Sequence, residues 1–138
     1  MNAGEAFAAA AAALCGAPFR LHGRHPATGL DCVGLVAVAL ERCGQTVVAP
    51  EGYALRALSV TPLLGFAARN GFAAADVAAV AKAGDLLLLR LSPIQAHLAI
   101  ALDGERFVHA HAGLGKVVIG HGALPGETIA RWRLTAKG

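Results

Sequence analysis

The stretch that most constrains the fold is residues 31–40, where a loop containing glycine and proline gives way to a continuous apolar run. Asp31 is a suitable N-cap residue and Gly44 suits the position just after a helix, so the sequence predicts a helix from about Cys32 to Arg42. Its leucine and valine residues cannot all face one side, so the helix is expected to be buried nearly all round. The rest of the chain is predicted to be organised around it.

Cys32 occupies the first turn of this predicted helix. Unpaired backbone N–H groups and the positive end of the helix dipole favour the thiolate there, which is the nucleophilic form of cysteine. The same N–H groups are suited to hold an oxyanion. The alternative is a structural cysteine, because cysteine is often buried and behaves as a small hydrophobic residue. Taken alone, the cysteine favours the structural interpretation.

Composition excludes several classes of protein. The 138 residues predict one domain covering residues 1–138, and a chain that is 56% hydrophobic and 15% charged is not disordered. The net charge of +3 is spread along the chain without a basic cluster that alternates with aromatic residues, which argues against nucleic acid as a partner. The 3 cysteines include no CxxC pair, so free thiols are expected instead of disulfides or a zinc ribbon.

The alanine-rich N-terminal segment is predicted to be a helix that ends at Gly16 and Pro18, with Cys15 in the core. It lacks the basic residues, and the small residue before the cysteine, that are typical of a signal sequence. Prolines, glycines or charges interrupt the apolar stretches, so no membrane span is expected. The sequence therefore predicts synthesis in the cytoplasm without a signal peptide.

Three further segments are predicted before the chain changes character at Gly84. A short extended piece is expected at residues 46–50. Residues 53–70 read as one helix, or as two short helices broken near Pro62, and residues 76–83 as another helix.

The second half of the chain predicts a small sheet. Continuous apolar runs separated by short turns are typical of an antiparallel meander. In the last strand, Trp132 is expected in the core, with Arg131 and Arg133 on a solvated face. Helices followed by strands define an α+β domain. The five predicted strands lie at residues 86–91, 97–102, 106–112, 116–119 and 128–134.

Three histidines on two of these strands form a second candidate site. Alternation places His97 on the same face as Ala99 and Ala101, whose small side chains leave room for a helix to approach. The helix that carries Cys32 is a candidate for that position.

The register between the two strands decides whether the histidines meet. A two-residue turn at Asp103-Gly104 would put His97 and His109 on opposite faces of the sheet. A three-residue loop through Glu105, or a bulge, would bring His97, His109 and His111 to one side. We expect the three-residue loop.

Four sequence blocks stand in this order along the chain: Asp31-Cys32-Val33-Gly34-Leu35-Val36, Gly84-Asp85-Leu86-Leu87, Ala96-His97-Leu98-Ala99-Ile100 and Phe107-Val108-His109-Ala110. Over roughly residues 16–134, they resemble the signatures of NlpC-type cell-wall cysteine peptidases. The resemblance implies a compact papain-like fold, circularly permuted relative to papain, with N-terminal helices packed on a C-terminal antiparallel sheet of about five strands. It also implies a peptidase that hydrolyses the bond between D-glutamate and the diamino acid of peptidoglycan stem peptides.

The approach to the cysteine, Arg20-Leu21-His22-Gly23-Arg24, looks most like the branch of this family encoded with tail proteins of phages and gene transfer agents. This resemblance implies phage-like tail proteins as partners. It further implies incorporation in a phage-like particle and action at the cell wall.

The resemblance assigns roles to individual residues. Cys32 is the expected nucleophile, His97 the general base and acid, and His109 the residue that orients His97. Asp31 matches an aspartate that in family members can help to bind the free amine of the stem peptide. His111 is expected to line the cleft or to compete with His109 for the orienting role.

Two positions depart from the family pattern. Phe19 stands where a tyrosine usually contributes to the oxyanion site. We expect either that His22 or a backbone group takes the place of the missing hydroxyl, or that activity is reduced. Val33 replaces a serine that commonly follows the cysteine, which is expected to remove a polar group from the substrate pocket.

Several alternatives remain open at the level of sequence. Zinc bound by Cys32, His97, His109 and His111 ranks below the thiol triad, and neither a metal nor a cofactor is expected. A papain-like amidase or acyltransferase would share the Cys-His chemistry with another substrate. A non-catalytic tail component would keep the fold alone.

Overall fold

The computed structural model describes residues 1–50, 53–56 and 59–135. Most of its helical residues precede the main sheet, so the predicted α+β class is confirmed. The helices are α1 (Ala3–Ala12), α2 (Cys32–Arg42) and α3 (Thr61–Arg69), and the strands are β1 (Arg24–His25), β2 (Gly29–Leu30), β3 (Phe72–Ala75), β4 (Leu86–Ser92), β5 (Gln95–Ala101), β6 (Arg106–His111), β7 (Lys116–His121) and β8 (Glu127–Leu134).

Helix α2 lies at the centre of the core, as predicted. Asp31 caps it by accepting a 2.8 Å hydrogen bond from the backbone N–H of Gly34. Gly44 follows its end with φ of 83°, a conformation that favours glycine. Residues 32–40 are all buried, because α1 covers one side of the helix and strands β5 and β6 cover another.

Helix α1 begins with a capping box, in which the side chains of Asn2 and Glu5 each accept a hydrogen bond from the other residue's backbone N–H. The helix ends at Ala12, and the chain then turns. Leu14 points into the core with 3% of its surface exposed, whereas Cys15 is exposed. The prediction of a buried Cys15 is wrong, because the leucine takes the inward position in this turn.

The main sheet has six antiparallel strands in the order β3-β8-β4-β5-β6-β7. The predicted meander is present from β4 to β7, but β8 returns to pair with β4 instead of extending the meander at β7. Strand β3, which the sequence analysis missed, covers the other edge of β8. In the described part of the chain, no helix is long and apolar enough to cross a membrane.

Residues 76–83 form turns and irregular structure, so the helix predicted there is wrong. The carboxylate of Asp76 accepts a hydrogen bond from the N–H of Ala78, a local bond that competes with helix formation. Arg131 donates to the carbonyl groups of Asp76 (2.7 Å) and Val80 (3.3 Å). Contacts from a distant strand therefore satisfy carbonyl groups that a helix would have paired.

The segment between α2 and β3 is less helical than expected. Residues 46–50 form no strand, and residues 53–56 are not helical. Helix α3 contains Pro62 in its first turn, where the missing N–H removes no helical hydrogen bond, so the proline starts this helix instead of breaking it. Residues 57–58, which the predicted helix also included, lie outside the described residues.

Strand β8 buries one of its two arginines. Trp132 is 7% exposed, as predicted, but Arg131 is only 4% exposed and pairs with the buried carboxylate of Asp85 at 2.5 Å. Arg133 reaches the same carboxylate from a position that is 46% exposed. The expectation of a solvated face for both arginines is therefore wrong for Arg131, because the Asp85 carboxylate holds it inside.

The two faces of the sheet pack against different parts of the chain. Leu98 and Ile100 face α2 in the main core, whereas Ala99 packs with Phe107 and two leucines of β4 on the opposite face. The prediction that the helix carrying Cys32 lies over the face with Ala99 and Ala101 is therefore wrong. The larger apolar side chains of β5, which bury more surface, face the helix instead.

The register between β5 and β6 follows the prediction. Ile100 pairs with Val108 and Ala101 with Phe107, and the N–H of Leu102 donates to the carbonyl of Arg106 at 2.9 Å. Residues 103–105 therefore form the expected three-residue loop. The odd-numbered residues of the two strands, His97 and His109 among them, share one face of the sheet.

Candidate active site

Cys32 lies at the first position of α2, directly after the N-cap residue Asp31. Backbone groups of Leu98, of Val33 and of Cys32 itself lie close enough to the thiol to lower its pKa. Leu98 follows His97 at the middle of β5, so the cysteine lies near the centre of the histidine strand. The start of α2 and the middle of β5 thus meet near the thiol.

Burial controls the protonation of Cys32. The residue is 1% exposed, and loss of solvent raises the pKa of its thiol to about 12, with a further contribution from the negative charge of Asp31. The backbone hydrogen bonds lower the pKa, as expected for a helix N-terminus, but by less than burial raises it. The free protein therefore holds Cys32 as a neutral thiol, and the helix N-terminus alone does not form a resting thiolate.

His97 and His109 are brought together. The Nε2 atom of His97 lies 2.8 Å from Nδ1 of His109, and both side chains are buried, with 9% and 6% exposure. One of these two nitrogens donates a proton to the other, so the hydrogen bond fixes the orientation of the His97 ring. In that orientation, Nδ1 of His97 stays available for another partner.

Both imidazoles are neutral near pH 7. Burial is the largest cause that lowers the pKa of His97 to about 3, and the neighbouring His109 and His111 add to it. The pKa of His109 falls to about 4, again through burial first and then through His111. A neutral His97 has the protonation state that a general base requires.

The histidines line a cavity of about 130 Å³. His111 lies next to His109, with ring centroids 5.5 Å apart, and its Nδ1 accepts a hydrogen bond from the N–H of Leu114. Phe19 forms part of the wall of this cavity. Val33 is fully buried in the main core and does not line this cavity. The valine that stands here in place of the family's usual serine therefore does not change the cavity wall.

Asp31 is the centre of a hydrogen-bonded cluster that sequence reasoning missed. Besides Gly34, its carboxylate accepts hydrogen bonds from the backbone N–H of His22 (2.8 Å), from the guanidinium of Arg24 (3.2 Å) and from the hydroxyl of Tyr53. Arg24 also donates to the hydroxyl oxygen of Tyr53 at 3.0 Å. Arg24 was the sequence signal that could have pointed to this cluster, because an arginine close to an N-cap aspartate is a candidate partner for an ion pair.

Residues 53–55 connect the two halves of the site. Tyr53 binds Asp31 through its hydroxyl, and its carbonyl oxygen lies 2.9 Å from Nε2 of His22. The carbonyl of Leu55 accepts a 2.9 Å hydrogen bond from the N–H of Ala96, the residue before His97. The segment therefore links the cysteine helix to the histidine strand.

The predicted residues thus fall into two groups. His97, His109, His111 and Phe19 share the cavity, whereas Asp31 supports the start of the cysteine helix from below the surface, with no exposed area. Within residues 1–50, 53–56 and 59–135, no three histidine, cysteine or acidic side chains are grouped as metal ligands. The roles assigned to the individual residues stay predictions.

A cysteine at the start of a buried helix, with a histidine pair on the antiparallel sheet against which that helix packs, defines an α+β domain of the papain-like type. The family can be stated more closely. The model of the NlpC/P60 family matches residues 16–124, and the chain belongs to this family.

Solved structures agree with this assignment. The NlpC/P60 domain of the peptidoglycan hydrolase SagA is 30% identical in sequence and superposes with a TM-score of 0.61, over 88% of this chain and 90% of that domain. The P60 domain of an antigen from M. avium subspecies paratuberculosis is 19% identical, with a TM-score of 0.65 and coverage of 97% of this chain and 96% of that one.

A third similar structure is longer than this chain. NlpC1 from Trichomonas vaginalis is 19% identical with a TM-score of 0.76, and the match covers 99% of this chain but 45% of that protein. At this identity, the likeness shows the fold alone. No curated protein matches the chain.

Proposed function

We propose that this protein is a cysteine peptidase that cleaves peptidoglycan stem peptides. The observation that carries the proposal is the hydrogen bond of 2.8 Å between His97 and His109. His97 directly precedes Leu98, whose backbone lowers the pKa of the Cys32 thiol. Membership of the NlpC/P60 family and the similarity to the domain of a peptidoglycan hydrolase support the same class of substrate.

The first half of the reaction follows from the protonation states. We take the tautomer in which Nε2–H of His97 donates a hydrogen bond to Nδ1 of His109, so that Nδ1 of His97 carries a lone pair. As the sulfur of Cys32 attacks the carbonyl carbon of the substrate, the thiol proton passes to Nδ1 of His97. The carbonyl oxygen becomes an oxyanion, which the backbone N–H of Cys32 stabilises.

The second half releases the products. The tetrahedral intermediate collapses, the amide C–N bond breaks, and His97 gives its proton to the leaving amine. Water, deprotonated by His97, then attacks the thioester and regenerates the thiol. Because the resting thiol and imidazole are both neutral, we expect proton transfer to accompany substrate attack instead of preceding it.

The proposed bond lies between D-glutamate and the diamino acid of the stem peptide. The test is hydrolysis of a synthetic stem peptide by the wild type, by Cys32→Ala and by His97→Ala, with Cys15→Ala as the matched control at an exposed cysteine. We expect each active-site variant to lose at least about 1,000-fold in kcat/KM, while the control retains wild-type activity.

Two results would contradict this proposal. Cleavage that survives in Cys32→Ala would remove the cysteine from the mechanism. Cysteine-dependent hydrolysis of a simple ester or amide, without cleavage of any stem peptide, would instead identify an amidase or acyltransferase with another substrate.

A non-catalytic role is the second candidate, and one observation favours it. Cys32 is almost completely buried, and the pKa of its thiol is far above neutral. The test is binding of the stem peptide. If the peptide neither raises the melting temperature of the protein nor shifts the NMR signals of Cys32, and is not cleaved, the result supports a structural role only.

The proposed setting is a phage-like tail, with action at the cell wall during envelope penetration. The loop at residues 20–24, on which this resemblance rests, lies over the start of α2 through the contacts of His22 and Arg24 with Asp31. The test is fractionation of particles released from the producing cell. Antibody signal in purified tails supports the proposal, whereas signal confined to the free-protein fraction contradicts it.

A further inference from the structure

A second cavity lies on the face of the sheet that is turned away from α2. Its volume is about 270 Å³, against about 130 Å³ for the cavity of the candidate active site, and the two cavities share no wall residue. Its base is formed by buried side chains of three neighbouring strands, Leu87 of β4, Ala101 of β5 and Phe107 of β6. Residues 79–81 and 103–106 form much of its walls. The cavity is therefore a separate site, built on the sheet itself.

The size and the rim of this cavity suit a small apolar ligand. Two valines that line it, Val77 and Val80, are 47% and 75% exposed, and a ligand in the cavity would remove apolar surface of this kind from water. An apolar cavity of about 150 Å³ is large enough to bind benzene. The larger volume here accommodates a group of that size together with a short polar group, whereas cavities for drug-sized ligands measure about 300–1,000 Å³.

Arg131 supplies this cavity with a buried cation. It pairs with Leu87 across β4 and β8, so the two side chains share a face of the sheet, and it lines the cavity although it is only 4% exposed. Its Nε and Nη1 atoms donate to the carbonyl groups of Asp76 and Val80 and to the carboxylate of Asp85. Its Nη2 atom makes no hydrogen bond within the described part of the chain. Since no buried side-chain nitrogen or oxygen of the described residues lacks a partner, Nη2 is reached by solvent.

The charges around Arg131 favour an anion as the polar part of the ligand. Arg131 and Arg133 share the carboxylate of Asp85, so this cluster of two cations and one anion keeps one positive charge in excess. At the rim, the carboxylate of Asp103 already pairs with a neighbouring arginine at 2.9 Å, and Glu105 is exposed, where solvent screens its charge. A carboxylate at Nη2 would accept charge-assisted hydrogen bonds from donors that are otherwise unused.

We propose that this cavity binds a small carboxylic acid, whose apolar body fills the cavity and whose carboxylate binds Nη2 of Arg131. The site is separate from the candidate active site and does not depend on the proposed peptidase function. The occupant is a free acid instead of the end of a polypeptide, because Arg131 and Thr128 are the polar side chains that the sheet contributes to the cavity. They leave few partners for the N–H and C=O groups of a peptide chain.

The experiment titrates the wild type with phenylacetate and with phenylacetamide, which has nearly the same shape without the charge. NMR spectroscopy should show shifts of the backbone N–H signals of residues 79–81 and 103–107 and of the Nε–H signal of Arg131. We expect a dissociation constant for phenylacetate in the millimolar range, as is usual for a ligand of about ten non-hydrogen atoms. Phenylacetamide should bind at least about 5-fold more weakly, because its neutral amide does not form the charge-assisted hydrogen bonds.

Two matched variants test the location. Val80→Asp places a negative charge at the rim of the cavity, in a position exposed enough to leave the fold intact, and should weaken the binding of phenylacetate at least about 5-fold. Val48→Asp is the control, because Val48 is 51% exposed and lines neither of the two cavities. Arg131→Lys keeps a cation beside Asp85 but removes Nη2, and it should also lose at least about 5-fold. Unfolding curves identify any variant that does not fold, and the comparison of the two ligands on the wild type needs no variant.

Several results would overturn the proposal. Equal affinity for phenylacetate and phenylacetamide would remove Arg131 from recognition, and the absence of any shift well above the millimolar range would remove the site. Shifts confined to His97, His109 and His111 would place the acid in the other cavity. Tighter binding of acetyl-alanyl-phenylalanine than of phenylacetate would identify the end of a polypeptide as the occupant and contradict the assignment to a small free acid.

Discussion

At the scale of single residues, the reactivity of Cys32 is set by competition between burial and backbone hydrogen bonding. Burial raises the pKa of the thiol to about 12, although the N–H groups around the sulfur stabilise the thiolate. An imidazole whose pKa is about 3 cannot take the thiol proton in the free protein. The free protein therefore keeps the thiol of Cys32 protonated.

Alkylation by iodoacetamide tests this protonation state. In the free protein at pH 7, we expect Cys32 to react at least about 100-fold more slowly than Cys15, because Cys32 is buried and protonated while Cys15 is exposed. Mass spectrometry of the labelled peptides gives both rates. Between pH 7 and 10, the Cys32 rate should rise about tenfold per pH unit, since the thiolate fraction does so below the pKa.

A plateau in the Cys32 rate below pH 8 would contradict this expectation, because it would reveal a preformed thiolate–imidazolium pair. His97→Gln is the control. If no such ion pair exists, removing the imidazole should leave the pH dependence of the Cys32 alkylation rate unchanged.

The buried histidine pair makes folding depend on pH. The folded pKa values of about 3 and about 4 lie below the ordinary value of 6.5, so between these limits the unfolded chain binds protons that the folded chain does not. The contribution of this pair to the free energy of unfolding is therefore fully present above pH 6.5 and is lost as the pH falls towards 4. We expect the free energy of unfolding at pH 4.5 to be lower than at pH 7 by on the order of 3 kcal/mol.

Denaturant titration at the two pH values measures this difference. The double variant His97→Gln/His109→Gln lacks both titrating groups, so its difference should be clearly smaller. An equal pH dependence in the wild type and the double variant would assign the effect to other groups.

The site residues differ in how far the sequence could predict them. Cys32, His97 and His109 stand in local blocks, and strand alternation with the loop length predicted that His97 and His109 share one face of the sheet. Tyr53 was not identified, because it lies 22 positions from Asp31 with no local pattern that links the two. Only the folded chain brings its hydroxyl to the start of α2.

At the scale of secondary-structure elements, a buried ion pair fastens β8 to the start of β4. Asp85 is fully buried, pairs with Arg131 at 2.5 Å and also accepts a hydrogen bond from the N–H of Lys82. Removing the carboxylate leaves the buried guanidinium of Arg131 without its counter-charge. Such uncompensated burial is strongly destabilising.

Asp85→Ala should therefore lower the free energy of unfolding by about 3–5 kcal/mol, measured by denaturant titration. Arg133→Gln is the matched control, because it removes a partner of the same carboxylate from a position that is 46% exposed. We expect the control to lower the free energy of unfolding far less than Asp85→Ala does, because solvent screens the exposed guanidinium. Similar losses in the two variants would mean that burial of Arg131 does not decide the energetics.

The elements themselves were predicted where local signals and tertiary contacts agree. Helix α2 has its cap, apolar run and terminal glycine within 14 residues, from Asp31 to Gly44, and its observed limits, Cys32–Arg42, match the prediction. Residues 76–83 have helical composition, but the Arg131 side chain captures their carbonyl groups. A long-range contact of this kind leaves no mark in the local sequence.

At the scale of the whole molecule, one main core joins α1, α2, α3 and all six strands of the main sheet. This arrangement predicts a single cooperative unit over residues 1–138. Trp132, the only tryptophan, is buried where β8 pairs with β3 and β4, so its fluorescence reports on the sheet. Far-ultraviolet circular dichroism reports mainly on the helices.

Unfolding curves from the two signals should coincide in midpoint and slope, since a single domain of this size usually unfolds in one step. Denaturant titration of the wild type gives both curves from the same samples. Midpoints that differ beyond error would divide the chain into separately folding parts and contradict the single-domain prediction.

The sequence by itself determined the α+β class, the central helix and the three-residue loop that sets the histidines on one face, because caps, alternation and loop length are local properties. Only the tertiary structure decided which face of the sheet meets α2, where β8 inserts and how Asp31 is closed by Arg24 and Tyr53. These features depend on the burial of apolar surface and the pairing of charges between distant segments, and such energies are defined once the chain is folded.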